Sequence, residues 1–482
     1  MHLEIKARVR KTGIISGFLV VALLQFLAAL PAPAQEKLQT VPHVNPRLIV
    51  LTDIGNEPDD EESLLRLLVY SDQFDIEGLV AVTSTWLRQN PREYLIRRDL
   101  AAYAQVRTNL LKHSAVFPPV ETLLAVTRTG QTNYGMAAVG EGKSTGGSQR
   151  IIEAIDRADD RPVWVTVWGG PNTLAQALSD VRASRSPTEV DKFVAKLRVY
   201  TISDQDDSGP WIRREFPKLF YIVSPSDTAS NKGYNRAAWT GISGSGGFHF
   251  DMVSNPWLET NIINNHGPLG ALYPRRKYLM EGDTPSWLGL IDHGLGWEIS
   301  PTYGGWGGRY LLDQPADETR PIWTDNANTR DTVSLGNGRT ETSNQATIWR
   351  WREQFQNDFA ARMNWCVAGD FKNANHNPHA ALNGNRSTDV VTIPAKSGST
   401  IKLSAAGTDA GDDGQSVNVA WWIYQEAGSL EGATLTRTNG LNTEVVLPAA
   451  NSPGTVHLIL QAEDDGTPHL FAYRRIIIQV TP

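Results

Sequence analysis

"RLIVLTDIGNEPDDEESLLRLL", residues 47–68, runs from an apolar stretch through an acidic knot into a leucine-rich segment. Six carboxylates (Asp53, Glu57, Asp59, Asp60, Glu61 and Glu62) fall within ten positions. The uninterrupted apolar character of 48–51 reads as a strand buried on both faces, and 59–70 reads as a helix. Acids in a first helical turn complement the helix dipole and cap its free N–H groups, which accounts for 59–62 without any ligand. It does not account for Asp53, which ends a buried strand where an unpaired charge is costly. A hard cation bridging Asp53 and the helix-start acids would offset that cost, and clustered oxygen donors suit Ca²⁺.

Outward from this stretch, β-rich runs alternate with helical ones. Strands are expected at 76–84, 162–168, 197–203 and 219–224, with helices opening at Pro91 and Pro171. This alternation implies an α/β domain with a mostly parallel sheet covered by helices on both faces, over residues 46–370. Ligands of such sheets bind at the carboxyl ends of the strands, here Asp53, 83–85, 168–170, 203–207 and Ser224. A long closing helix is expected over 343–365. Residues 371–387 ("KNANHNPHAALNGN" and its flanks) have linker composition. Short alternating strands over 388–482, separated by Gly and Asp turns, read as an immunoglobulin-like β-sandwich that folds on its own.

The chain has 482 residues, 40% of them hydrophobic and 20% charged, enough for more than one core. A basic start, an apolar stretch over 13–30 and the small residues Ala32 and Ala34 read as a signal peptide over 1–34, cleaved after Ala34. The mature protein is then expected to be periplasmic or extracellular, with no stable membrane insertion. Its formal charge moves from −7 to about −10, which argues against nucleic acid as a partner. The one cysteine, Cys366, cannot form an intrachain disulfide.

"VLTDIGNEPDDEESLLRLL" resembles the N-terminal aspartate motif of nucleoside hydrolases. It resembles more closely a secreted family that joins a nucleoside-hydrolase-like domain to an immunoglobulin-like C-terminal domain, some of whose members are called cellulose-binding proteins. "VTVWGGPNTLAQAL" (165–178), "EGDTPSWLGLI" (281–291), "SDQDDSGPWIRREFP" (203–217) and "GGWGGRY" (304–310) support the same resemblance, and "WWIYQEAG" and "DDGTPHLFAYRR" carry it through the C-terminal region. It implies that Asp53 is both a Ca²⁺ ligand and the general base, with Asp60, the Trp168 carbonyl and Asp283 completing the protein ligands. The ion would orient a sugar and acidify a water whose proton Asp53 takes. The implied function is an exported, calcium-dependent hydrolase of glycosyl bonds acting on a polysaccharide-derived glycan. A non-catalytic carbohydrate-binding protein and a periplasmic nucleoside hydrolase are the alternatives.

The sequence departs from the hydrolase pattern in four places. Leu51 stands where an aspartate is usual, and the two metal-binding aspartates are two residues further apart. Residues 83–86 replace an expected asparagine, and Gly282 replaces a histidine beside the last aspartate. The metal and sugar half of the site is kept and the base-recognising half is not. Asn56, Glu57, Trp86, Asn172, Asp206, Asp207, Trp211, Trp306 and Arg309 are the expected substrate-binding residues. The acids would accept hydroxyl protons while Trp faces cover apolar sugar faces. His249 and His266 are weaker candidates for a leaving-group acid. "AAVGEGKST" (137–145) fits a relaxed phosphate-loop pattern but lacks the strand that should feed it. The acidic turn in "AAGTDAGDDGQSVNVAWW" reads as a polar β-turn before core tryptophans.

Overall fold

Strand β1 (Arg47–Thr52) is buried along its whole length, and its side chains divide between two cores. Leu48 and Val50 enter one, and Ile49 and Leu51 enter the other. That division explains the absence of polar alternation in the sequence, because neither face of the strand meets water. The structure, a computed structural model, describes residues 44–225, 236–244, 246–326, 328–336 and 338–482. The leader expected at 1–34 lies outside the described residues, and no described helix is long and apolar enough to cross a membrane.

From β1 the chain enters α1 (Asp59–Val69), then β2 (Asp75–Ala81), α2 (Glu93–His113), α3 (Val120–Ala125) and β3 (Thr127–Thr129). It continues through α4 (Gly146–Asp156), β4 (Val163–Val167), α5 (Asn172–Ser184) and α6 (Pro187–Ala195) to β5 (Leu197–Thr201). Helix α7 (Ser208–Glu215) and β6 (Phe220–Val223) follow, and β7 (Leu311–Asp313) and β8 (Ile322–Thr324) close the sheet. The strand order is β3-β2-β1-β4-β5-β6-β8-β7, parallel except for β7 against β8. Thr52 pairs with Ala81, Leu51 with Val167 and Val167 with Thr201. The carboxyl ends of four central strands therefore finish level, and their next residues share one edge.

A hairpin, β9 (Asp331–Gly336) and β10 (Arg339–Ser343), precedes the C-terminal region. The single helix expected over 343–365 is two, Ala346–Trp349 and Arg352–Trp365. Trp351 leaves helical geometry between them (φ −109°, ψ 4°) and is buried against Trp422, Tyr424 and Tyr473. A seven-strand sandwich follows: β11 (Val391–Lys396), β12 (Thr400–Ser404), β13 (Val417–Ile423), β14 (Thr434–Leu435), β15 (Asn442–Val446), β16 (Gly454–Asp464) and β17 (Phe471–Thr481). Its sheets run β11-β17-β16-β13 and β12-β15-β14.

The sandwich has an apolar interior of its own. Tyr424, Ile459, Phe471 and Tyr473, however, belong to the same core as Trp306, Trp351 and Phe355 of the preceding region. Residues 44–482 form one compact unit. The stretch 371–387 is polar for a reason other than the one its composition suggested. Asn375 donates to Asp464 and to the Pro468 carbonyl, and Asn377 donates to Asp358 and to the Phe471 carbonyl. Its side chains bond the two regions together.

Candidate functional site: an acidic cleft

The level strand ends place Asp53, Trp168 and Gln205 around one depression, with Ser84 bonded to Asp53. Backbone bonds hold the edge: Trp168 N–H donates to the Leu51 carbonyl, and Gly170 N–H to the Thr83 carbonyl. Gly169 and Gly170 are needed because carboxylates crowd them. A Cβ at Gly169 would stand 2.7 Å from Asp53 Oδ1, and one at Gly170 would stand 2.4 Å from Asp206 Oδ2.

Opposite this edge, the first turn of α1 presents Asp59 and Asp60, and the segment before the short helix Pro285–Leu288 presents Asp283. Oxygens of Asp59, Asp60 and Asp283 lie within 4.8 Å of one another. Asp60 accepts from Thr52 Oγ1, and Asp53 Oδ2 accepts from Ser84 Oγ at 2.5 Å. Asp283 Oδ2 is buried with no hydrogen-bond partner. Burial, reinforced by mutual repulsion, raises all four carboxyls: Asp53 and Asp59 to about 7, Asp60 and Asp283 well above the ordinary range. No lysine or arginine appears among the causes that shift them. Oxygen donors this close, one without a partner, fit a hard cation. Trp168 contributes a carbonyl that already accepts from Gln205 Nε2 at 2.5 Å and has a second lone pair.

The carboxylates floor a cleft of about 740 Å³, whose lining also includes Glu57, Trp86, Ile202, Gln205, Trp239, Thr240, Tyr278 and Leu279. Two aromatic side chains of the lining are exposed, Trp86 at 49% and Tyr278 at 65%. The Gln205 amide is oriented by its bond to the Trp168 carbonyl, and its Oε1 is buried without a partner. At Gly282, an added Cβ would lie 2.8 Å from Asp59 Oδ2. The Asp59 carboxylate thus occupies the space that a side chain at 282 would need.

The sequence-expected residues divide accordingly. Asp53, Asp60, Trp168, Asp283, Glu57 and Trp86 meet at the cleft, and Asn56 lies beside it with its amide on Glu57. Asn172 is buried one layer beneath, donating to Thr83 Oγ1 and the Asn133 carbonyl. Asp206 lies behind Gly170, binding Ser208, and burial raises it to about 7. Asp207 accepts from Met136 N–H.

Three expected contacts are structural. Trp211 packs on Phe216 under Arg182. Trp306 is fully buried against His293, and Arg309 pairs with Asp331. The glycine-rich 304–310 stretch is therefore a packed turn, and the loop display expected of it does not occur. His249 faces Glu353, and His266 bonds Asn364; neither lines the cleft. In the 137–145 stretch, Lys143 is tied to the carbonyls of Ala137 and Val139 in its own loop.

The sequence places Asp59 among helix-start acids that a cation could bridge, and Ser84 and Gln205 among the strand-end residues, without giving any of the three a role of its own; Trp239 and Tyr278 are not marked by it. Tyr278 carries no signal, because it comes from a loop far along the chain.

Comparison with known proteins places the chain in a family. Residues 47–310 match the model of the cellulose-binding Sde182 nucleoside hydrolase-like domain, and residues 400–480 match that of the cellulose-binding protein Sde0182 C-terminal domain. A solved structure of a nucleoside hydrolase-related hypothetical protein from Saccharophagus degradans, described as associated with carbohydrate metabolism, is 35% identical. The match covers 91% of this chain and 100% of that chain, with a TM-score of 0.78. The type III effector XopQ in complex with adenosine diphosphate ribose is 11% identical over 69% of this chain and 96% of its own, with a TM-score of 0.30. No curated protein matches. The chain belongs to the cellulose-binding Sde182 family, with its nucleoside hydrolase-like domain and its C-terminal domain both present.

Proposed function

We propose that this protein is an exported glycoside hydrolase of polysaccharide-derived glycans, working with Ca²⁺ held by Asp53, Asp59, Asp60, Asp283 and the Trp168 carbonyl. The observation that carries the reading is the partnerless, buried Asp283 oxygen among carboxylates that form no ion pair with the described residues, at the floor of an open cleft. A bound Ca²⁺ would supply charge neutralisation and two or more positions for sugar hydroxyls. The chain's own groups supply the rest. Ser84 fixes Asp53 Oδ2, leaving Oδ1 to accept a proton from water attacking an anomeric carbon. Gln205 Oε1 accepts a sugar hydroxyl. Trp86 and Tyr278 offer exposed rings for apolar sugar faces.

A second reading, non-catalytic carbohydrate binding, is favoured by the family description, since the same groups can hold a sugar without hydrolysing it. Nucleoside hydrolysis is disfavoured because Asp59 fills the space at Gly282 from which a base-contacting side chain would come. The test is a panel of inosine, uridine, aryl furanosides and pyranosides, and cello-oligosaccharides, run on wild type and Asp53→Asn with Ca²⁺. Glycoside turnover lost in Asp53→Asn is the expected result. Saturable glycan binding without turnover, unchanged in the variant, would replace hydrolysis by binding. Efficient nucleobase release that Asp53→Asn abolishes would overturn both carbohydrate readings.

A further inference from the structure

Ser84 stands at an unusual crossing of bonds. Its hydroxyl accepts from the backbone N–H groups of Trp86 (3.0 Å) and Leu87 (2.9 Å), and its own N–H donates to the Leu87 carbonyl at 2.9 Å. A serine hydroxyl has two lone pairs and one proton. With both lone pairs engaged, the proton goes to Asp53 Oδ2 at 2.5 Å. The 84–87 turn is thereby closed around the atom that also orients Asp53. At the tip of that turn is Trp86, 49% exposed and part of the cleft lining. The other exposed ring of the lining, Tyr278, has no comparable tether among the described residues.

We infer that Ser84 is a positioning residue that couples cation occupancy at Asp53 to the placement of Trp86 at the cleft mouth. The inference rests on the proposed cation site and concerns how this chain links that site to its glycan platform. A cation held by Asp53 would fix that carboxylate in one orientation, and with it the Ser84 hydroxyl that donates to Oδ2. The same hydroxyl then grips the two N–H groups of the turn more firmly, because bonds through one group polarise each other. Trp86 is ordered as a consequence, and by linkage a ring stacked on Trp86 favours cation retention. The ligand this suits is a hydroxylated ring with one edge towards the carboxylates and one apolar face towards the indole.

The experiment uses Ca²⁺ alone as probe. Wild type, Ser84→Ala, Ser84→Thr and Trp86→Phe are titrated by calorimetry while acrylamide quenching of tryptophan fluorescence is followed. The difference between wild type and Trp86→Phe isolates Trp86. Ca²⁺ is expected to reduce Trp86 quenching at least twofold in wild type and Ser84→Thr. In Ser84→Ala the response should vanish while Ca²⁺ still binds through Asp59, Asp60 and Asp283. Should Ser84→Ala fail to fold, Ser84→Cys, which weakens the same bonds at similar volume, takes its place. An undiminished Trp86 response in either variant overturns the inference and leaves the cation site standing. Binding heat in wild type with no change at Trp86 overturns it too. Absence of any Ca²⁺ heat in wild type removes the cation site itself, and the inference with it.

Discussion

Two groups of carboxylates in this molecule are treated in opposite ways. At the junction between the sandwich and the preceding region, every such acid has its counterpart. Asp331 is enclosed by Arg309, Arg350 and the Tyr424 hydroxyl, and Asp358 by Arg362, Tyr70 and Asn377. At the cleft, Asp53, Asp59, Asp60 and Asp283 face one another with hydroxyl partners only for Asp53 and Asp60. The junction acids are complete without a ligand, whereas the cleft acids form no ion pair among the described residues. Acid content alone does not distinguish structure from function; the presence of a donor does.

The largest effect should come from cutting the junction away. A chain ending at Asn375 loses Tyr424, Ile459, Phe471 and Tyr473 from the shared core. It also loses Arg475, which donates to the carbonyls of Leu295 and Gly304. Trp351 and Trp306 would then face water, a loss of several buried aromatic contacts at about 3–5 kcal/mol each, comparable to the whole stability of a domain. Circular dichroism and calorimetry should show no cooperative melting. A truncated protein that melts sharply and keeps its cleft would mean that the shared core is dispensable.

That outcome bears on what was legible in the sequence. The parallel sheet, α1 and the sandwich strands were readable because apolar period and turn chemistry are local. Asp53 was readable because a charge at the end of an apolar strand is itself an anomaly. The shared core was not, since Trp351 and Tyr473 carry no mark saying that they touch. The glycine-rich 304–310 stretch misled for a related reason. Glycines beside Trp306 permit either a displayed loop or a tightly packed one, and Gly304 packs its backbone against Tyr424. Asn375 and Asn377 looked like linker because polar composition is the same whether a side chain meets water or a buried carboxylate.

Next in size is Asp331→Asn. It leaves the buried Arg309 without a carboxylate partner and Arg350 with Glu426 alone. Breaking a buried pair of this kind costs about 3–5 kcal/mol. Chemical denaturation should show that loss equally in Ca²⁺ and in chelator. A loss confined to one condition would tie the junction to the cleft.

The cleft should respond to Ca²⁺ and pH together. Asp53 and Asp59 stand at about 7 in the folded chain against 3.8 for an aspartate in water, and Asp60 and Asp283 are also raised well above it. Folding therefore takes up protons, so the contribution of these groups is fully present below about pH 3.8 and is lost as pH rises through about 7. Ion-free protein should lose stability across that window. Ca²⁺ should restore it, by about 2.7 kcal/mol at a free concentration one hundred times Kd. Melting in EGTA and in Ca²⁺ at pH 5, 6, 7 and 8 measures the gap, which should widen with pH. A gap that is constant or absent would remove the cation from the account.

The smallest effect is the sharpest, because its sign differs between the two regions. Asp60→Asn keeps an oxygen to accept from Thr52 Oγ1 and removes one charge from a group repelled by Asp53 and Asp59. In chelator at pH 8 the variant should be more stable than wild type, by about 1 kcal/mol, or roughly 2 °C in a chain of this size. In Ca²⁺ the order should reverse, since a neutral amide oxygen is a weaker ligand than a carboxylate. No such reversal is available to Asp331, whose partners are covalent parts of the chain and present in every buffer. Thermal melts of the two variants in the two buffers give four numbers against wild type. Stabilisation of Asp60→Asn in chelator alone would assign its carboxylate to a ligand, whereas equal destabilisation in both buffers would make it a structural acid like Asp331.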